Sequence, residues 1–171
     1  MKTDLRALLS GQIEVLDFDQ DRSLTQMQRG GDTLGFNSPI RVQGRLSRLE
    51  DGVVFFSGRL DTVVKTVCGR CLEPVLEPFS IEFGEVVYAD GKEEEYDLII
   101  EPEGPTFDLD AFCEAILELN LPVSFLCRED CKGLCPICGT NLNTSECNCK
   151  ENQIDQRFAK LKDLLQESKN K

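Results

Sequence analysis

Eight of the nine cysteines in this chain fall into four close pairs: Cys68/Cys71, Cys127/Cys131, Cys135/Cys138 and Cys147/Cys149. A zinc ion takes four thiolates in a tetrahedron at about 2.3 Å, and each close pair supplies one edge of it. Four pairs therefore point to two Zn2+ ions per chain, and a fold that accepts them must bring distant segments together. The sequence contains no histidine. That excludes zinc sites built on imidazole, along with Ser-His-Asp and Cys-His catalysis. Met1 to Ser10 carries Asp4 and Arg6 and lacks a long apolar run, so it does not read as a signal peptide. With an odd cysteine count, this favours reduced intracellular thiols over a disulfide framework. No apolar run reaches the eighteen residues that would suggest a membrane span.

The spacing also suggests how the pairs combine. Cys135-Pro-Ile-Cys138-Gly139 reads as a metal knuckle: proline shapes the turn, and glycine takes the positive φ that follows the second ligand. Amides in such a turn point at the sulfurs. Cys147-Asn-Cys149 follows after a short polar loop, so Cys135, Cys138, Cys147 and Cys149 make a local, zinc-ribbon-like site. Cys68-Gly-Arg-Cys71 joins two strand-like segments and needs a distant partner, which Cys127/Cys131 can provide. A site of Cys68, Cys71, Cys127 and Cys131 would clamp the metal-binding segment to the core and close a long loop. A second partition stays open, with Cys127, Cys131, Cys135 and Cys138 together and Cys68/Cys71 reaching Cys147/Cys149. Gly133 and Pro136 argue against a continuous helix through that quartet. A thioredoxin-like role for Cys68/Cys71 would need a helix after Cys71, and no helical pattern follows. Cys113 lies on an apolar helix face and reads as a packed core thiol.

At 171 residues the chain suits one core with a small appendage. The expected fold class is α+β: a β-rich antiparallel core with one packed helix, the four-cysteine segment and a C-terminal helix. Residues 1–126 form the core, and residues 127–171 hold the zinc-binding segment and last helix. Strands are expected over Gln12–Asp19, Pro39–Leu49, Val53–Leu60, Thr62–Val67, Leu72–Tyr88 and Tyr96–Ile100. Gln20–Ser38 reads as a long loop or irregular hairpin. Glu50-Asp-Gly52 is a hairpin turn signal. Pro74 and Pro78 suit an edge or a bend. Asp108 is a candidate N-cap for a helix whose apolar stripe is Leu109, Phe112, Cys113, Ile116 and Leu119, ending before Pro122. Gln153–Glu167 repeats the amphipathic pattern with Ile154, Phe158, Leu161 and Leu165.

The formal charge of −12 argues against indiscriminate binding to RNA or an anionic membrane. The acidity is local, since Glu73 to Glu118 holds fifteen acidic residues and one basic residue, Lys92. Residues 41–70 are mildly basic, with Arg41, Arg45, Arg48, Arg59, Lys65 and Arg70 against Glu50, Asp51 and Asp61. Such a run is ordinarily a solvated strand face. Its functional reading is an RNA- or protein-facing surface beside the Cys68/Cys71 knuckle. The acidic carboxylates show no spacing that specifies acid/base catalysis or a calcium loop.

Several ordered motifs resemble one family. Cys68-Gly-Arg-Cys71-Leu-Glu-Pro, Phe107-Asp-Leu-Asp with its helix into Leu121-Pro122, and Cys127-x3-Cys131-Lys-Gly-Leu-Cys135-Pro-Ile-Cys138-Gly are similar to the YceD family. The later Asn141-Leu-Asn143, Cys147-Asn-Cys149 and Ile154-Asp-Gln-Arg157-Phe continue the pattern, and the resemblance spans residues 39–166. It implies a non-enzymatic, cytoplasmic role in the synthesis, processing or accumulation of large-subunit (23S) ribosomal RNA. The implied partners are an rRNA precursor, a ribosomal protein or an assembly intermediate, with no membrane and no small-molecule substrate. A redox-switched zinc protein or chaperone that releases metal on thiol oxidation is the competing expectation.

Overall fold

The computed structural model describes residues 1–50, 52–89, 98–100 and 103–149. Its centre is β6, Val53–Val67, fifteen residues rich in β-branched and aromatic side chains. Val54, Phe56, Leu60, Thr62 and Val64 alternate inward and are buried, while Arg59, Asp61 and Lys65 occupy the other face. The two short strands expected over Val53–Leu60 and Thr62–Val67 are thus one, because Asp61 falls on the outward phase and does not interrupt the alternation.

β6 pairs antiparallel along its whole length with β7, Pro74–Ala89. Its opposite edge is shared: β5, Ile40–Glu50, pairs with residues 53–61, and β4, Asp32–Phe36, pairs at Val64 and Lys65. β2, Val15–Arg22, lies outside β5, and β3, Gln26–Arg29, lies outside β4, completing a six-stranded sheet. Among the described strands β7 pairs only with β6, an edge position that tolerates Pro74 and Pro78. The segment read as a loop or irregular hairpin is the β3–β4 hairpin, turning at Gly30 and Gly31 with positive φ.

One face of the sheet is covered by α2, Leu109–Asn120. The Asp108 carboxylate accepts the Asp110 amide as N-cap, and Phe112, Cys113, Ile116 and Leu117 are buried toward the sheet. Just past the far end of the helix, Arg29 from the β3–β4 hairpin donates to the carbonyls of Leu121 (2.7 Å) and Pro122 (2.8 Å). Phe56 sits at the middle of the core, with ring centroids 4.9–5.5 Å from Phe18, Phe83, Phe107 and Phe112. Its ring lies so close over Gly44 that a Cβ there would come within 2.8 Å of it.

A second helix, α1 (Arg6–Leu9), is one turn long and buries Leu8. Before it, β1 (Lys2–Asp4) pairs with β8 (Thr106–Asp108), tying the N-terminal segment to the start of α2. The observed class is a β-rich antiparallel architecture with two helices among the described residues. Leu98–Ile100 form no strand, and the rest of the strand expected over Tyr96–Ile100 lies outside the described residues, as does the helix expected over Gln153–Glu167. No helix among the described residues is long and apolar enough to cross a membrane.

Candidate metal centres

The connection between β6 and β7 is the turn Cys68–Glu73. The Cys68 amide donates to the Glu73 carbonyl (2.8 Å) and the Leu72 amide to the Cys68 carbonyl (2.9 Å), with Leu72 at φ 62°. Two sulfurs are thereby presented at the end of the sheet's longest hairpin. After α2, the chain passes Pro122 and returns to this turn, where the Gly69 amide donates to the Phe125 carbonyl at 2.8 Å. That docking delivers Cys127 and Cys131.

The sulfurs of Cys68, Cys71, Cys127 and Cys131 all lie within 4.8 Å of one another. Cys68 and Cys131 are 3.8 Å apart, and Cys71 and Cys127 are 3.6 Å apart. A tetrahedron with metal–sulfur bonds of about 2.3 Å has edges of about 3.8 Å. A disulfide would need about 2.05 Å, and all nine cysteines are free thiols. Four sulfurs at tetrahedral spacing therefore fit one metal ion. Cys68, Cys71 and Cys131 are buried and Cys127 is exposed, so the cluster has a closed back and an open edge.

The second cluster is local. Cys135, Cys138, Cys147 and Cys149 also gather their sulfurs within 4.8 Å. The knuckle is built as a turn: the Gly139 amide donates to the Cys135 carbonyl (2.9 Å), Gly139 takes φ 74°, and the Cys135 amide donates to the Thr140 carbonyl (2.8 Å). Cys135 is buried, Cys138 exposed, and Cys147 and Cys149 are intermediate. Either group of four could hold a metal ion. Cys68 and Cys71 meet Cys127 and Cys131, not Cys147 and Cys149.

Within each cluster the thiols differ in acidity. Hydrogen bonds from backbone amides, foremost that of Cys127, outweigh burial and pull the Cys68 thiol down to about 6. Partial desolvation within the cluster and the neighbouring Cys71 sulfur push Cys127, on its open edge, up to about 12. In the second cluster the Thr140 hydroxyl and amide draw Cys138 down to about 6, while Cys149, beside Cys138, is pushed up to about 12. A metal ion bound by four thiolates would displace the protons that such thiols carry.

Two residues that the cysteine spacing alone did not assign a role bridge the clusters. Asn143, in the loop between Cys138 and Cys147, donates from Nδ2 to the Cys131 sulfur at 3.3 Å. Asn141 donates from its amide to the Glu73 carboxylate at 3.2 Å, and its backbone pairs with Leu134 as an isolated bridge. The sequence signal was the polar Asn-Leu-Asn triplet lying between two ligand pairs.

The basic residues of the β5–β6 region are not a uniformly positive face. Register places Asp17, Asp19 and Asp21 of β2 opposite Arg45, Gln43 and Arg41 of β5. Arg45 binds Asp17 at 2.6 Å, Arg41 binds Asp19 at 2.8 Å, and Arg59 binds Asp61 at 2.9 Å. The outward face therefore alternates in sign. Lys65 lies farther along β6, opposite Gly35 and Leu76. The Arg48 guanidinium lies beside Gly11, 3.2 Å from where a Cβ on that residue would sit. Arg70 faces the first cluster, donating to the carbonyl of Cys131 at 3.0 Å.

The family model described as Large ribosomal RNA subunit accumulation protein YceD matches residues 56–165, which include all eight clustered cysteines. An uncharacterized protein of Mycobacterium tuberculosis is 34% identical over 128 residues, 71% of this chain and 59% of the relative. The chloroplastic large ribosomal RNA subunit accumulation protein YCED homolog 1 of Arabidopsis thaliana is 28% identical over 148 residues, 66% of this chain and 46% of the relative. Uncharacterized protein YlbN of Bacillus subtilis is 27% identical over 155 residues, 88% of both chains. The chain thus spans about 59% of the length of the mycobacterial relative. No solved structure matches it. The family match covers well over half of the sequence and both sulfur clusters, and on that ground the chain belongs to the YceD family.

Proposed function

We propose that this chain is a non-enzymatic zinc-binding factor of ribosome biogenesis that supports accumulation of large-subunit (23S) ribosomal RNA in the cytoplasm. The family match supports the biological role. The observation that carries the chemistry is two groups of four sulfurs, each gathered within 4.8 Å. Zinc suits an all-thiolate tetrahedron, and four protein ligands leave no open position for a substrate, which is why the role is structural. Cys68, Cys71, Cys127 and Cys131 hold one ion and clamp residues 127–171 to the core of residues 1–126. Cys135, Cys138, Cys147 and Cys149 hold the other in a zinc-ribbon-like segment.

The alternating charge of the outer sheet face suits a specific mixed-charge partner better than bare phosphates. A large-subunit assembly intermediate that presents both ribosomal protein and rRNA precursor fits that description, with Arg41, Arg45, Arg48, Arg59, Lys65 and Arg70 among the contacts. Gradient sedimentation of a cell extract at low salt is the test. The protein is expected to travel with large-subunit precursors, and its absence from those fractions at every stage of assembly would refute the role. Metal analysis of the purified chain should give two zinc ions.

One observation favours a redox-switched zinc protein as the second reading. Cys138 is exposed and Cys147 and Cys149 are partly so, leaving the second cluster open to oxidants. Oxidation with peroxide, with zinc release and client binding measured together, separates the readings. If neither changes, the redox role is excluded.

A further inference from the structure

Asn143 is unusual in how completely its side-chain amide is used. An amide offers two donors and two acceptor positions. Oδ1 accepts from the Lys132 amide (2.8 Å) and from the Arg128 guanidinium (2.8 Å). Nδ2 donates to Asn141 Oδ1 (3.0 Å) and to the Cys131 sulfur (3.3 Å). The orientation of the amide is chemically determined. A backbone N–H and a guanidinium only donate, so the oxygen must face them and the NH2 must face the sulfur.

Those four bonds link one cluster to the loop that completes the other. Cys131 belongs to the first cluster, whereas Asn143 stands on the loop closed at its ends by Cys138 and Cys147 of the second. The same loop reaches the β6–β7 turn once more, where the Asn141 side-chain amide donates to Glu73. It is also tied to the segment before Cys135, the Leu142 amide donating to the Gly133 carbonyl (2.9 Å), and that segment holds the turn through the Leu134 amide, which donates to the Arg70 carbonyl (3.0 Å). Gly133 permits the close approach: it sits at φ 74°, and a Cβ there would lie 3.0 Å from the Arg70 carbonyl.

We propose that Asn143 is a positioning residue that couples the two metal centres, so that loading the second cluster strengthens metal binding at the first. This rests on the reading of both clusters as metal sites. A metal ion at Cys135, Cys138, Cys147 and Cys149 fixes the loop and presents the Asn143 NH2 to Cys131 already oriented. That hydrogen bond withdraws charge from the Cys131 thiolate and holds its direction toward the metal. Without the second ion the loop must be ordered at the moment the first site binds, which weakens that site. Thermodynamic linkage makes the effect mutual.

The test uses cobalt(II) as the probe in the reduced full-length chain, reading the thiolate-to-cobalt charge-transfer band. First-site affinity is measured in the wild type, in Cys138→Ser/Cys149→Ser, in Asn143→Ala, and in the triple variant. Emptying the second site is expected to weaken the first about 10- to 100-fold, the usual effect of losing a bond to a metal ligand. Asn143→Ala should weaken it to a similar degree, and the triple variant no further, since both changes remove one interaction. Asn143→Asp keeps the acceptor but sets a carboxylate oxygen against the thiolate, and should shift the first-site band. It serves as the second variant if Asn143→Ala fails to fold.

A first-site affinity indifferent to the second site, fully multiplicative effects, or a band unmoved by Asn143→Asp would overturn the coupling while leaving two metal sites intact. The absence of any charge-transfer band at either cluster would instead remove the metal-site reading itself.

Discussion

Breaking the first metal centre should cost about 1.5 kcal/mol more stability than breaking the second, a difference set by the lengths of the two loops. Cys71 and Cys127 are 56 residues apart in sequence, whereas Cys138 and Cys147 enclose only a short loop. A cross-link restrains the unfolded chain in proportion to the logarithm of the loop it closes. For a loop of this length the entropic term is about 4 kcal/mol at 25 °C, against about 2.7 kcal/mol for a ten-residue loop. The matched pair of substitutions is Cys127→Ser and Cys138→Ser, because both side chains are exposed and neither change buries a hydroxyl or opens a cavity. In a chain of this size about 4 kcal/mol corresponds to a fall in Tm of roughly 8–16 °C. The assay is urea unfolding of zinc-loaded protein, wild type and both variants, with and without chelator. Chelator should lower the wild-type midpoint sharply and the Cys127→Ser midpoint much less. Equal losses in the two variants, or a wild-type midpoint that ignores the chelator, would refute the argument that the first centre fastens the ends of a long loop.

Two further outcomes follow from the core. Gly58 faces Gly44 across β5 and β6, and a Cβ at Gly58 would lie 2.2 Å from the Gln43 carbonyl oxygen, a backbone atom that cannot step aside. Gly58→Ala should therefore destabilise by about 3 kcal/mol, and Gly30→Ala, in open space at positive φ, by about 1 kcal/mol; comparable losses in a denaturant titration would contradict this. Burial, helped by the charge of Asp110, pushes the Cys113 thiol up to about 12. The native state then keeps this proton while the unfolded chain loses it above about pH 9, so its contribution to stability declines as pH rises from there toward 12. The slope approaches 1.4 kcal/mol per pH unit for one proton. Cys113→Ala should flatten the alkaline limb of the stability curve, and an unchanged slope would count against it.

Much of the fold was legible because local chemistry repeats the tertiary answer. Gly52 of the Asp-Gly signal stands at positive φ between β5 and β6, Asp108 caps α2, and the paired prolines mark β7 as an edge. The parts that escaped are those in which partners are remote. β1 and α1 are too short to carry a period, and β1 is held by β8, more than a hundred residues away. The arginines of β5 looked basic because their acidic partners stand on β2, some twenty residues upstream, and only register reveals that they face each other. Asn143 could be suspected as polar but not assigned, since its value lies in four simultaneous partners brought together by two separate turns.

The location of the first centre also has a consequence in time. Its two halves are made in sequence: Cys71 leaves the ribosome first, and Cys127 follows 56 residues later. At elongation rates of about 5–20 residues per second, the delay is roughly 3–11 s. A β-hairpin closes in microseconds, so β6 and β7 can zip long before the second half-site exists. For that interval the growing chain carries an open dithiol at the tip of its longest hairpin, half of the first sulfur cluster awaiting its complement. For the four-sulfur cluster to close as thiols, those two sulfurs must stay reduced and unpaired until Cys131 emerges.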